Sequence, residues 1–234
     1  MREYKKQPET IDELYMHHCS PPEGQEFISS DIKEHLPTLV DFAARFDTRN
    51  IVELGVRWVV STLAFAVARP HLLFSVDLEH PDDTQWADRA MGKMEMLGQF
   101  AESEDIDFRF FKGDSRKIDV DVACDLLFID TLHDYAQLKA EFKHWAPKCH
   151  KWIIIHDTES FKTKDESTGK GKGTWKAIEE FVSESDWEFY CHYFYNNGLT
   201  VLKHKDYDAN RVHDWELGQM KGDEPTPNTR EDHK

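Results

Sequence analysis

The chain has 234 residues, a formal net charge of −16, 39% hydrophobic residues and 12% aromatic residues. This length and composition predict one globular domain with appendages and argue against intrinsic disorder. The acidic balance opposes nonspecific binding to nucleic acid or to anionic membranes. No apolar run reaches the roughly 18 residues that a membrane-spanning helix needs, and the first ten residues lack the apolar core of a secretory signal.

The four cysteines are widely separated along the chain and form no C-x-x-C pair, which argues against a zinc site. Cys124 and Cys191 lie in apolar runs and are expected to be small buried hydrophobic side chains. We therefore expect a reducing compartment and a cytoplasmic location.

Residues 1–48 are predicted to form a helical extension. A short helix is expected near residues 11–17, followed by a loop. A second helix is expected near Glu34, because Ser29-Ser30-Asp31 resembles a helix N-cap and apolar residues follow at helical spacing.

From residue 49 onward, short apolar segments alternate with helical patterns. Strands are predicted at 51–54, 72–76, 107–111, 126–129, 152–155, 188–194 and 199–202. Helices are predicted at 61–68, 85–102, 135–145 and 174–182. This alternation predicts an α/β domain over residues 49–204, with a mostly parallel sheet that helices cover on both faces. The turn signal Tyr195-Asn196-Asn197-Gly198 makes the last strand antiparallel, and residues 205–234 are predicted to be a charged, loosely ordered tail.

Acidic residues lie at or just after the ends of five of the predicted strands. They are Glu53, Asp77, Asp114, Asp130 and Asp157. Parallel strands end at one edge of a sheet, where charges are costly unless they are paired or bound to a ligand. The alternative for each residue is that it caps the next helix.

Several of these positions suit a nucleoside. Gly55 allows a sharp turn and a close approach of a ligand to the backbone, and Ser61 offers a hydroxyl at the next helix start. Asp77 has the position that accepts hydrogen bonds from ribose hydroxyls, and Asp114 could accept from an adenine amine. The chain lacks the phosphate-binding loop of ATP sites and the G-x-G-x-x-G pattern of NAD sites.

Six motifs in this order resemble class I S-adenosylmethionine-dependent methyltransferases. They are V-E-L-G-V at 52–56, the acid Asp77, G-D-S at 113–115, F-I-D at 128–130, H-D-T at 156–158 and N-N-G-L-T-V-L at 196–202. The chain resembles most the small branch with metal-dependent O-methyltransferases and cephalosporin-hydroxylase-like proteins, over about residues 50–203. The resemblance implies a Rossmann-like, doubly wound seven-stranded sheet whose last strand is antiparallel.

The resemblance also implies roles for single residues toward S-adenosylmethionine. Glu53 and the Gly55 backbone would hold its methionine part, Asp77 its ribose, and Asp114 with Ser115 its adenine. Ser61 and Asp130 complete the expected cofactor-binding set. The family usually has a second glycine where this chain has Val59, whose side chain is expected to narrow the approach of the cofactor.

In the metal-dependent branch, the positions of Asp130 and Asp157 hold a divalent cation. Oxygen ligands suit Mg²⁺ or Mn²⁺, whereas His156 as a third ligand would favour Mn²⁺, Fe²⁺ or Zn²⁺. The open alternative is that His156 faces the core and ligates nothing.

His133 and His156 are the candidate catalytic bases. His133 lies three residues beyond Asp130, and a histidine pKa near the working pH suits deprotonation of a substrate hydroxyl. The alternative is that His133 only begins the next helix, and Glu141 in that helix is expected to pair with lysines. Residues 158–173 are interpreted as a lid whose lysines meet an anionic group, or else as a solvated loop.

The leading hypothesis is methyl transfer from S-adenosylmethionine to a hydroxyl of a small molecule or sugar, assisted by a divalent metal such as Mg²⁺ or Mn²⁺. One alternative is a methyltransferase-fold binding protein without activity, which Val59 favours. Another is a metal-dependent hydrolase or oxygenase that uses Asp130, His156 and Asp157. The expected partner is the substrate, without membrane or nucleic acid, and a homo-oligomer remains open.

Overall fold

The structure is a computed structural model that describes residues 10–19, 30–84 and 93–209. The strands are β1 (Asn50–Leu54), β2 (Leu72–Asp77), β3 (Asp107–Lys112), β4 (Cys124–Ile129), β5 (Cys149–His156), β6 (Trp187–Tyr193) and β7 (Leu199–His204). All seven predicted strands are therefore present, with ends that differ from the prediction by a few residues. The predicted hairpin turn between β6 and β7 has positive φ values at Asn196, Asn197 and Gly198.

Six α-helices lie in the described ranges. They are α1 (Ile11–Cys19), α2 (Leu36–Ala43), α3 (Val60–Val67), α4 (Lys93–Ser103), α5 (Tyr135–Trp145) and α6 (Gly173–Glu184). The helix predicted at 85–102 corresponds to α4, and its first eight predicted residues lie outside the described ranges. Among the described helices, none has the length and apolar character that a membrane crossing requires.

The strands form one sheet in the order β3-β2-β1-β4-β5-β7-β6. The pairs among β1 to β5 are parallel, and β7 is antiparallel to both β5 and β6. This confirms the predicted doubly wound seven-stranded sheet with an antiparallel last strand. The strand order reverses between β1 and β4, and a crevice outside the carboxyl ends of the strands is expected there.

Two apolar layers cover the sheet. Ile51 of β1 packs with α2 and α3 on one face, whereas its neighbour Val52 packs with α5 and α6 on the other. Both side chains are completely buried. Burial on two faces explains why the central strands are continuous apolar runs rather than alternating ones.

The N-terminal region packs against this core. A short 3-10 helix, Lys33–His35, precedes α2, so the α-helix begins two residues after Glu34 and has Pro37 in its first turn. No described side chain caps α2, and of the cap expected from Ser29-Ser30-Asp31 the first residue lies outside the described ranges. The division into an extension, a domain and a tail stays a prediction, and residues 1–9, 20–29 and 210–234 lie outside the described ranges.

Candidate functional site

A cavity of about 430 Å³ opens at the carboxyl ends of the central strands. Its volume falls in the usual range of small-ligand sites. Eight of the residues expected at the site line this cavity, namely Gly55, Ser61, Asp77, Asp114, Ser115, Asp130, His133 and Asp157. The other two, Glu53 and His156, are completely buried and do not line it. The topology thus brings four of the five acids at the strand ends, all except Glu53, around one space.

Gly55 lets the ends of β1 and β4 approach each other. Its φ is 92°, and an added Cβ would lie 2.0 Å from the carbonyl oxygen of Asp130. The Gly55 N–H donates to the Val76 carbonyl at 2.9 Å, so the same residue also ties β1 to β2. Only glycine fits here, because a side chain would collide with backbone and require an unfavourable φ.

The turn after Gly55 is held in an uncommon conformation. Arg57 and Val59 have φ values of 45° and 66°, in the left-handed region that branched residues rarely adopt. Asp77 Oδ2 accepts the N–H of Arg57 at 2.9 Å and that of Val56 at 2.8 Å. On the other side of the turn, Lys93 Nζ donates a hydrogen bond to the carbonyl oxygen of Trp58 at 3.1 Å. These bonds hold the turn that forms one wall of the cavity.

Val59 does not narrow the cavity, so that expectation is wrong. Its side chain is completely buried in the apolar layer with α2 and α3, and it is not part of the cavity wall. The left-handed backbone directs Val59 into the core. The observation that favoured an inactive binding protein is therefore removed.

Glu53 supports the wall from behind. Ser61 Oγ donates to Glu53 Oε1 at 2.6 Å, and Ser75 Oγ donates to Oε2 at 2.7 Å. Burial raises the pKa of Glu53 to about 7, although both hydroxyls favour the carboxylate. Glu53 contacts the cavity wall through Ser61, and its direct role toward a cofactor stays a prediction.

Asp114 lines the cavity with a fully engaged carboxylate. Its Oδ1 accepts the backbone N–H of Arg116 at 3.0 Å and the Nε–H at 2.8 Å. Its Oδ2 accepts Arg116 Nη2 at 2.7 Å and lies 3.3 Å from Lys117 Nζ. Arg116 holds the pKa of this carboxyl well below its usual range.

A buried network lies next to Asp114. The Glu141 carboxylate, which is completely buried, accepts hydrogen bonds from Ser115 Oγ at 2.6 Å, Thr131 Oγ1 at 2.8 Å and Gln137 Nε2 at 2.8 Å. Burial raises the pKa of Glu141. The expectation that Glu141 pairs with lysines is therefore wrong: its partners are neutral groups from three separate segments.

His133 lies among three carboxylates. Its Nε2 is 3.2 Å from Asp130 Oδ1 and 3.3 Å from Asp157 Oδ2, and its Nδ1 is 2.9 Å from Glu166 Oε2. Burial lowers its pKa, but the hydrogen bonds to Asp130 and Glu166 outweigh burial and raise the pKa to about 10. The expected pKa near working pH is thus wrong for His133 in this arrangement.

His156 completes a group with Asp130 and Asp157. One possible ligand atom of each residue lies within 4.8 Å of the others. His156 Nδ1 is 3.2 Å from Asp130 Oδ1, so the ring faces the acid although it is completely buried. Burial disfavours the charged forms, but the attraction between them raises the pKa of His156 and lowers that of Asp130.

Asp157 has two features typical of functional sites. Its φ is 58°, and its buried Oδ1 accepts no hydrogen bond from any described residue. Burial raises its pKa to about 6, against the opposing effect of His156 and His133. A buried acceptor without a protein partner is available to a cation or to a hydrogen-bond donor.

The loop after β5 is folded against the start of α5. Glu166 N–H donates to the His133 carbonyl at 3.3 Å, and Glu166 Oε2 accepts the His133 N–H at 3.1 Å. Asp165 Oδ1 accepts the Tyr135 N–H at 2.9 Å. Glu166 is the loop residue that lines the cavity. The expected lysines are therefore absent from the described wall, and an acid stands there instead.

Sequence reasoning missed other residues of the wall. Leu78 and Leu132 line the cavity and remain 67% and 44% exposed, so they offer apolar surface to a ligand. Each lies one or two residues after an acid that ends a strand, which is a signal that could have found them. Gln137 and Glu166 had no such signal, because their positions depend on tertiary packing.

Comparison with known proteins agrees with this geometry. Residues 52–158 match a family model described as a methyltransferase domain. A search of curated proteins found no match to the chain.

Several solved structures share the fold. An O-methyltransferase from Bacillus cereus in complex with SAH is 17% identical, with a TM-score of 0.55 over 87% of this chain and 94% of that chain. TomG from Streptomyces achromogenes, an O-methyltransferase of tomaymycin synthesis in complex with SAM, is 14% identical, with a TM-score of 0.57 over 85% and 91%. The N-methyltransferase NodS from Bradyrhizobium japonicum is 11% identical, with a TM-score of 0.51 over 75% and 97%.

These structures include both O- and N-methyltransferases, so the shared fold leaves the methyl-accepting atom open. The domain model and the seven-stranded sheet point to the same class of protein. The resemblance of this chain to class I S-adenosylmethionine-dependent methyltransferases is therefore confirmed.

Proposed function

We propose that the protein transfers the methyl group of S-adenosylmethionine to a hydroxyl group of a small molecule or sugar, beside a bound divalent cation. The observation that carries this proposal is the shared cavity of Gly55, Asp77 and Asp130, within a domain that matches a methyltransferase model. The O-methyltransferases of similar fold support hydroxyl as the acceptor.

The residues around the cavity fit an adenosine-bearing cofactor. Asp77 Oδ2 holds the turn, whereas the one contact of Oδ1 among the described residues is with the Glu79 N–H at 3.4 Å, so Oδ1 can accept from ribose hydroxyls. Leu78 and Leu132 offer apolar surface that suits the faces of a planar base. When bound, S-adenosylmethionine supplies a methyl group activated by its positive sulfur.

The group formed by Asp130, His156 and Asp157 fits a divalent cation. Two carboxylates and an imidazole are a donor set that suits Mn²⁺ and related ions, and the unpartnered Asp157 Oδ1 is free to ligate. When bound, the cation would polarise a substrate hydroxyl.

The side chains of this wall would orient the acceptor. The ring nitrogens of His133 both face carboxylates, so the ring would donate hydrogen bonds to them. General-base roles for His133 and His156 stay predictions. Holding the hydroxyl in place would supply much of the rate enhancement.

Isothermal titration calorimetry with S-adenosylhomocysteine tests the proposal. We expect saturable binding, and Mn²⁺ binding that Asp157→Asn weakens while nucleoside binding persists. Mass spectrometry of candidate alcohols, catechols and sugars would then identify the methylated atom.

The rival functions give different results in the same experiments. A folded protein that binds neither S-adenosylmethionine nor S-adenosylhomocysteine would refute the proposal and favour a binding protein. Metal-dependent turnover of a substrate without S-adenosylmethionine would favour a hydrolase or oxygenase at Asp130, His156 and Asp157.

A further inference from the structure

The acid expected to recognise adenine is already occupied. Asp114 has four hydrogen-bonding or ionic contacts, two at each carboxylate oxygen, from Arg116 and Lys117. A carboxylate accepts at about four positions. An adenine amine could bind Asp114 only by displacing one of these cationic donors, which would leave little net gain.

Gln137 offers a second acceptor at the same end of the cavity. It lines the cavity, and its Nε2 lies 3.3 Å from Ser115 Oγ, on the residue next to Asp114. Gln137 is 9% exposed, so its amide is almost wholly enclosed by protein.

The buried network fixes which way the amide points. Glu141 Oε1 accepts from Gln137 Nε2 at 2.8 Å, and a buried carboxylate would repel the amide oxygen. The nitrogen therefore faces Glu141, and the carbonyl oxygen Oε1 is at the opposite end of the amide group. No described residue donates to Gln137 Oε1. The amide thus presents a neutral, preoriented acceptor beside the cavity.

We infer that Gln137, rather than Asp114, accepts the hydrogen bond from the exocyclic amine of the cofactor's adenine. This inference rests on the proposed function. A neutral amide oxygen matches the neutral amine, and Glu141, Ser115 and Thr131 act as the support that keeps the amide in this orientation. Gln137 would favour adenine, because a 6-oxo base would place its own oxygen against Gln137 Oε1.

Binding of two nucleosides tests this inference. S-adenosylhomocysteine and S-inosylhomocysteine differ by the exocyclic amine, which the latter replaces with an oxygen. Calorimetry should show that the wild type binds the adenosyl compound about 100-fold more tightly, since an unmatched polar contact in an enclosed site is costly. Gln137→Met keeps the side-chain length and removes the acceptor, so it should reduce the preference to a few-fold.

Asp114→Asn is the matched control, and it should keep the preference. Circular dichroism and thermal denaturation would establish that each variant is folded. Equal affinity of the wild type for both compounds would overturn the inference. Loss of the preference for the adenosyl compound in Asp114→Asn would also overturn it. A preference unchanged in folded Gln137→Met would also overturn it. Absence of binding by either compound would instead refute the proposed function, and the inference with it.

Discussion

Replacing the buried Glu53 by glutamine should stabilise the protein at alkaline pH. The side chain is completely buried and contacts two serine hydroxyls, and burial raises its pKa to about 7 from an ordinary 4.5. Glutamine has the same shape, and the hydroxyls of Ser61 and Ser75 can each donate or accept. The Glu53→Gln variant therefore removes an ionisable group without removing its contacts.

The size and direction of the effect follow from linkage. The folded state holds the Glu53 proton more tightly than the unfolded state, so the wild type loses stability as pH rises from 4.5 to about 7. The difference between a pKa of 4.5 and a pKa of about 7 corresponds to about 3 kcal/mol in the free energy of unfolding. Above pH 7 both states are ionised and the penalty is constant. The variant should match the wild type near pH 4 and exceed its free energy of unfolding by about 3 kcal/mol at pH 8.

Urea denaturation at several pH values measures this difference. Glu180 is the matched control with the opposite sign, because hydrogen bonds from Lys139 and Tyr135 lower its pKa to about 2. Glu180→Gln should thus lose stability relative to the wild type at neutral pH. A stability difference for Glu53→Gln that stays flat from pH 4 to 8 would refute the reasoning.

Three further predictions concern the site and its support. Gly55→Ala should lower the free energy of unfolding by about 3 kcal/mol in urea titrations, because the new Cβ would lie 2.0 Å from the Asp130 carbonyl oxygen at φ 92°; an unchanged midpoint would contradict this. Asp157→Asn should weaken Mn²⁺ binding at least about tenfold by calorimetry, because a buried carboxylate ligand is lost; equal affinity would exclude Asp157 as a ligand. Burial lowers the pKa of Lys93 from 10.5 to about 8, so the unfolded state holds this proton more tightly than the folded state. The free energy of unfolding of the wild type should therefore rise as the pH rises from about 8 to 10.5, and Lys93→Met should lack this rise. Parallel pH profiles of the free energy of unfolding for the wild type and Lys93→Met would contradict this prediction.

The sequence was sufficient to predict the sheet and the set of acids around the cavity. Parallel strands must end at one edge, so Asp77, Asp130 and Asp157 were expected together and line one space. Gly55 was also predictable, since a sharp turn beside another backbone needs glycine.

The partners of these acids were harder to predict. Asp114 is occupied by Arg116, two residues further along, through a turn geometry that the sequence pattern does not specify. Glu141 gathers hydroxyls from Ser115 and Thr131, which lie far apart in the chain and meet only in the packed structure. The direction of Val59 depended on a positive φ that is unusual for a branched residue.

Asp77 has two roles, and this affects how the binding data of its variants are interpreted. One of its oxygens fastens the left-handed turn of Arg57 and Val59, and the other is left for a ligand. Asp77→Ala would remove the hydrogen bonds to the turn as well as those to the ribose. Weakened cofactor binding in that variant would therefore overestimate the contribution of the ribose contact. Asp77→Asn, whose amide oxygen can still accept the two backbone N–H groups, would separate anchorage of the chain from recognition of the sugar.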